Sequence, residues 1–135
     1  MAESRRMAIL GGGPVGLASL LRARAEGWDA TLYERGRIGE NVRGWGHVRM
    51  FSPLEMNRLE PDSASQNWGK TGESEALLTG AEYVERCLEP LVRRPELAAR
   101  VRTETEVVAV SRDDLRKADE IATPGRAHRP FRLLL

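Results

Sequence analysis

The chain has 135 residues, enough for one domain with a real core, and its 41% hydrophobic and 30% charged residues are those of a soluble globular protein. Twenty-one Lys and Arg against 20 Asp and Glu leave a formal charge of +1, which removes any bulk electrostatic case for nucleic acid. No apolar run reaches the roughly 20 residues of a membrane-spanning helix, and a single cysteine, Cys87, excludes an internal disulfide or a C-x-x-C pair.

The first informative stretch is Met7-Ala8-Ile9-Leu10-Gly11-Gly12-Gly13-Pro14-Val15-Gly16. A short apolar run predicts a buried strand, three glycines predict a turn, and Leu17 to Glu26 predicts an amphipathic helix. Strand, glycine turn and helix are the setting in which Gly11, Gly13 and Gly16 have meaning as a G-x-G-x-x-G pattern. Gly11 serves the tight turn, Gly13 lets backbone approach a pyrophosphate, and Gly16 lets the helix pack closely on the strand. Pro14 is tolerated in the first helical turn, where its missing N–H costs nothing. The helix N-terminus then faces the anion. A glycine-rich turn without a ligand is the competing reading of this stretch alone.

Gly27 stands where a left-handed helix C-terminus is expected, and Ala30 to Tyr33 predicts a second buried strand ending at Glu34. A carboxylate about 20 residues beyond the glycine turn is placed to bind a ribose hydroxyl pair. Residues 1–35 therefore read as a βαβ dinucleotide-binding unit.

Residues 36–53 are dense in Gly, Arg, Trp and His without a helix or strand period, and read as a loop lining a site. Arg43, Trp45 and His47 are the hydrogen-bond donors there, and Trp45, Val48, Met50 and Phe51 are costly to expose together. Residues 54–76 read as a polar excursion, so that 36–76 forms a cofactor-proximal loop and excursion. Within 77–111, Thr79-Gly80-Ala81-Glu82 predicts a capping box. The helix behind it runs to about Arg93, with Ala81, Val84, Cys87, Leu88 and Leu91 on one face, and Pro95 ends it. Arg102 to Ser111 predicts a third strand. Pro124-Gly125 signals a turn, and Phe131 to Leu135 predicts a further strand, so that 112–135 reads as the start of a β-meander.

Gly11-Gly12-Gly13-Pro14-Val15-Gly16-Leu17, followed by Leu32-Tyr33-Glu34-Arg35, resembles the N-terminal FAD-binding segment of the two-dinucleotide-binding flavoproteins, the flavin-containing monooxygenase-like NAD(P)/FAD-dependent oxidoreductases. Asn41 to Pro53 resembles the stretch that passes close to the flavin, and Thr105 to Val110 a strand that meets the adenine. The resemblance implies an α/β, Rossmann-like fold with a parallel sheet. It implies that Gly11, Gly13, Pro14, Val15 and Gly16 hold the FAD pyrophosphate and that Glu34 binds the ribose. Arg35 would flank the adenine and Val107 would contact it through its backbone, although a solvated charge and a plain strand residue suit those two positions equally. Arg43, Trp45 and His47 would lie near the flavin or pyrophosphate, His47 as a positioning residue. No catalytic residue and no metal ligand is identified. The lone cysteine would set the chain apart from the disulfide-reductase branch of these flavoproteins.

A second glycine motif for NAD(P)H is not found, so the chain reads as a piece of a longer enzyme, cut before its second dinucleotide-binding unit, that would act on a small-molecule substrate without nucleic acid or membrane. With no signal segment, the cytoplasm is the expected compartment. An NAD-dependent dehydrogenase domain, a non-catalytic nucleotide-binding module and a degenerate fragment stay open as alternatives.

Overall fold

The computed structural model describes residues 5–59 and 75–135, so part of the polar excursion read over 54–76 lies outside the described residues. β1 (Arg6–Leu10) leads through the glycine turn into α1 (Pro14–Ala25), which returns the chain to β2 (Asp29–Tyr33). The two strands pair in parallel, from Arg6 against Asp29 to Leu10 against Tyr33. β3 (Val101–Arg102) adds a short parallel partner to the other side of β2, giving the order β1-β2-β3. This is the parallel sheet that the sequence predicts.

Strand alternation divides the sheet into two faces. Ile9, Ala30 and Leu32 are buried, as are Leu17, Leu20 and Ala23 of α1. Val15 is not part of this seam. It lies two residues before Leu17, about 200° around the helix, and is 80% exposed. α1 ends as predicted: Gly27 adopts φ 79°, and the Trp28 N–H donates to the Ala23 carbonyl at 2.9 Å in a six-to-one closure.

Residues 36–53, read as a loop, contain one helical turn, α2 (Glu40–Arg43), entered through Gly39 at φ 68°. A 3-10 turn follows over Leu54–Asn57. The capping box forms: the Glu82 N–H donates to Thr79 Oγ1 at 3.3 Å, and the Thr79 N–H donates to Glu82 Oε2 at 2.7 Å. The helix behind it is continuous over residues 80–92 but not uniform. α3 (Gly80–Tyr83) passes into a π-helical stretch (Val84–Leu88) and then α4 (Glu89–Val92). Pro90 supplies the physical reason, because it has no N–H for the Arg86 carbonyl and its ring crowds the preceding turn; a widened turn relieves both. Leu78, Tyr83, Val84, Leu88 and Leu91 carry the core on this side. α5 (Pro95–Ala98) begins at the predicted stop.

The single strand read over 102–111 is two elements. β3 ends at Arg102, and the chain turns back through Glu104 at φ 50°. The Thr105 N–H then donates to the Glu34 carbonyl at 2.9 Å. β4 (Ala109–Arg112) pairs antiparallel with β5 (Phe131–Leu134) in a separate two-stranded sheet. Pro124-Gly125 opens a short helix, α6 (Pro124–His128), instead of a simple turn.

Candidate functional site

The carboxyl ends of β1 and β2 open into a cleft, the position where open parallel sheets bind ligands. One hollow of about 400 Å³ is lined by Gly13, Pro14, Glu34, Arg35, Gly36, Gly39, Glu40, Asn41 and Val42. A second, of about 230 Å³, is lined by Leu10, Gly11, Tyr33, Glu34, Arg35, Glu106 and Val107. Both include Glu34 and Arg35, so the cleft runs from the start of α1 across the sheet end to residues 106 and 107. A larger hollow, about 830 Å³, lies between the other face of the sheet and the β4–β5 pair, and no residue of the glycine turn lines it.

The glycines have separate causes. Gly11 has φ 108°, a backbone geometry that side chains disfavour. A Cβ on Gly16 would stand 1.9 Å from the Gly11 carbonyl oxygen, so the helix packs against the turn without room for a methyl group. Gly12 is crowded more softly, by side chains: its Cβ would meet the tip of Ile38, Cδ1, at 2.8 Å and Glu34 Cβ at 3.0 Å. Gly13 differs from all three. Its φ is −83°, in the extended region open to any residue, and nothing lies within 4 Å of a Cβ built there. The fold gives no internal reason for a glycine at this position. The first-turn amides of Val15 and Gly16 find no backbone carbonyl among the described residues, and are two of the donors that a helix start leaves open.

Glu34 is held with care. Its Oε2 accepts the Gly12 N–H at 2.6 Å and its Oε1 accepts the Gly36 N–H at 2.8 Å. An ionised carboxylate has about four acceptor positions, so each oxygen keeps capacity for a hydroxyl donor. The Gly39 N–H donates to the Gly12 carbonyl at 3.0 Å, tying the far wall of the cleft to the glycine turn. On that wall Glu40 accepts from Arg37 at 2.8 and 3.0 Å, and this hydrogen bond pulls its carboxyl below the usual range. Val107 makes no backbone hydrogen bond among the described residues, leaving its N–H and C=O open beside the cleft.

The structure thus brings together Gly11, Gly13, Pro14, Glu34, Arg35 and Val107, with Gly16 supporting them from behind. It does not bring Val15, Arg43, Trp45 or His47 to these hollows. Val15 lies on the outer side of α1 with Met7, Ala18 and Trp28. The Arg43 guanidinium is engaged by Glu89 and lies 3.7 Å from Glu85, because helix 80–92 packs behind α2. Trp45 and His47 are exposed residues of the turn that follows α2. Sequence reasoning did not single out Gly12, Gly36, Gly39, Asn41 and Glu106; the signals available were the middle place of Gly12 in a run of three glycines and, for Asn41, the start of the 41–53 stretch. Cys87 packs against the core, and burial pushes its thiol up to about 11, as suits a small hydrophobe. Among the described residues no group of three or more His, Cys, Asp or Glu side chains could hold a metal ion, and no helix is long and apolar enough to cross a membrane.

No protein-family model and no curated protein matches the sequence. Solved structures do. The chain is similar to the bacillithiol disulfide reductase Bdr (YpdA) from Bacillus cereus, at 26% identity and a TM-score of 0.60, over 83% of this chain and 32% of that one. The chain has the Rossmann-type fold of the FAD/NAD(P)-dependent oxidoreductases. The same fold recurs in an oxidised steroid monooxygenase bound to NADP, at 21% identity and a TM-score of 0.59, over 79% of this chain and 20% of that one. It recurs in Bdr (YpdA) from Staphylococcus aureus, at 23% identity and a TM-score of 0.56, over 82% and 31%. The chain therefore spans a third or less of the length of these oxidoreductases. Two of the three are disulfide reductases, so the lone cysteine does not set the chain apart from that branch. Its cysteine count speaks only for the share of such an enzyme that the chain covers.

Proposed function

We propose that this chain is the FAD-binding segment of a flavin-dependent oxidoreductase and that its cleft holds the ADP half of the cofactor. The observation that carries this reading is Gly13, a glycine at the mouth of a helix with ordinary φ and open space where its side chain would be. That space, with the open amides of α1 behind it, suits a pyrophosphate. Glu34, anchored on two backbone amides, would accept the two ribose hydroxyls. Arg35 would flank the adenine, and the open backbone of Val107 would read its edge. Arg43, Trp45 and His47 line neither hollow of this half-site.

The flavin, when bound, supplies electron and hydride transfer, and the protein supplies binding and orientation. In the parent enzyme the reductant would be NAD(P)H and the activity monooxygenase-like, a reading supported by the resemblance of residues 41–53 to a flavin-proximal segment. The fold occurs equally in enzymes named as disulfide reductases, so the test on a full-length parent is which acceptor NADPH oxidation requires, dioxygen or a disulfide.

For this chain the decisive experiment is calorimetric titration with ADP, FAD and NAD, repeated on Gly13→Thr. Threonine is about as good an N-cap as glycine, so the fold should keep its stability within about 0.5 kcal/mol while ADP and FAD affinity falls at least about tenfold. Unchanged affinity would remove the pyrophosphate from Gly13. Binding of NAD in preference to FAD would favour the NAD-dependent dehydrogenase reading, which Glu34 serves equally well. No binding of any of the three would leave the degenerate fragment.

A further inference from the structure

The far wall of the cleft, residues 36–42, is not self-supporting. α2 is a single turn, far below the length at which a helix is stable alone. What stands behind it is helix 80–92. The contact is close on both sides: a Cβ on Gly80 would lie 1.9 Å from the Val42 backbone carbonyl oxygen, and one on Gly39 would lie 2.5 Å from the Val84 side chain at Cγ2. Next to this close approach sits Arg43. Its Nη2 donates to the Glu89 carboxylate, and its Nη1 lies 3.7 Å from Glu85 Oε1. The Arg43 side chain is 17% exposed, against 79% for Arg22 and 69% for Arg37 in the helix-surface pairs of this chain. Screening therefore weakens it much less than it weakens those pairs. The Arg43 Nε atom is buried without a partner, a cost that an apolar side chain of similar length would not incur.

We propose that Arg43, with Glu89 and Glu85, is a positioning device that holds the 36–42 wall at the distance from the glycine turn that the ligand requires. This rests on the reading of the cleft as an ADP-binding site and adds to it a coupling: affinity in the cleft depends on an ion pair behind the wall, made between residues 46 apart in sequence that touch no ligand.

The test uses the full chain and two readouts. Hydrogen exchange of the ligand-free protein follows the bonded amides of Gly39, Arg43 and Gly44, with those of α1 and β2 as internal reference. ADP affinity is measured by calorimetry on the same samples. Arg43→Met and Glu89→Gln should each raise exchange at residues 39–44 and weaken ADP about tenfold, with α1 and β2 unchanged. Arg43→Lys, which keeps the charge and the stem, should restore most of both. Arg22→Met, which removes an exposed pair, should alter neither. Exchange that rises equally in α1 and β2 would reduce Arg43 to general stability and overturn the proposal. Weaker ADP binding with unchanged exchange at 39–44 would overturn it in favour of direct contact, and faster exchange with unchanged affinity would break the coupling. Should the unsubstituted chain bind no ADP, the cleft reading falls and the coupling with it, while the exchange measurement still decides whether the ion pair holds the wall.

Discussion

Four glycines in the first turn of this fold carry three kinds of constraint, and substitution separates them. Gly11 needs its φ of 108°, whereas Gly16, and less strictly Gly12, need the absence of a Cβ because protein atoms occupy the space. Gly13 needs neither for folding. Gly16→Ala is therefore expected to destabilise the chain by about 3 kcal/mol, since the methyl group would have to displace the Gly11 backbone carbonyl. Urea unfolding of Gly16→Ala beside Gly13→Thr checks this: a large loss in the first and almost none in the second. Equal losses would mean that Gly13 is a folding residue and would remove the main support for a ligand. Glu34 shows how one side chain joins two parts of the site. By taking the Gly12 and Gly36 amides on separate oxygens, it fixes the glycine turn against the start of the wall and keeps acceptor capacity on each oxygen.

At the scale of elements, helix 80–92 does the most to shape the cleft without lining it. Its N-terminus is set by the capping box, and the Thr79 backbone hydrogen bond holds the Glu82 carboxyl below its ordinary value of 4.5. The sign follows from linkage. A carboxyl whose folded pKa is depressed contributes stability that is complete above its unfolded pKa and is lost as pH falls through the folded one. Thermal unfolding should therefore show the wild-type helix weakening below pH 4.5, with a shallower acid limb in Glu82→Ala because that contribution is already gone. Parallel acid limbs would show that the cap contributes nothing. The π-helical stretch in the same helix follows from Pro90, a residue that a count of apolar positions along 81–91 passes over. Tyr83, outside the expected apolar set, is 3% exposed and donates its hydroxyl to the Asn57 carbonyl at 2.7 Å. Burial pushes that hydroxyl up to about 12, so it remains a donor across the neutral range.

At the scale of the whole molecule, the described residues hold one glycine turn at the sheet's carboxyl edge, and the proposed reading assigns one dinucleotide to it. If the cleft holds FAD, the described residues offer no second turn of the same kind for a nicotinamide donor, and the chain by itself is expected not to oxidise NADPH at any FAD concentration. Sustained loss of absorbance at 340 nm beyond a no-protein blank would overturn this expectation. β1 pairs only with β2 among the described residues, and β4 and β5 form their own small sheet, with Val110, Phe131 and Leu134 exposed. The α1 side of the parallel sheet is closed by packing; the other side faces the 830 Å³ hollow.

Local chemistry made much of this legible from the residues in order. The βαβ unit, the roles of Gly11 and Gly16, the left-handed Gly27 and the Thr79–Glu82 cap each depend on residues within a few positions of one another, and backbone sterics and capping act at that range. The place of Glu34 beside the glycine turn was legible too, because strand and helix lengths set its distance from that turn. What tertiary structure alone decided lies further apart in the chain. Arg43 looked like a ligand donor from its neighbours, but packing of helix 80–92 against α2 gives it Glu89, 46 residues away. Val15 belongs to the motif, yet the helix turns it outward. The stretch over 102–111 reads as one strand, but β2 pairs only with Val101 and Arg102, Leu134 and its neighbours take only residues 108–112, and Val107 between them pairs with neither. A sequence states which groups are present and what each does locally; which of several suitable partners a charge or a strand meets is settled by the packing of elements brought together across the fold.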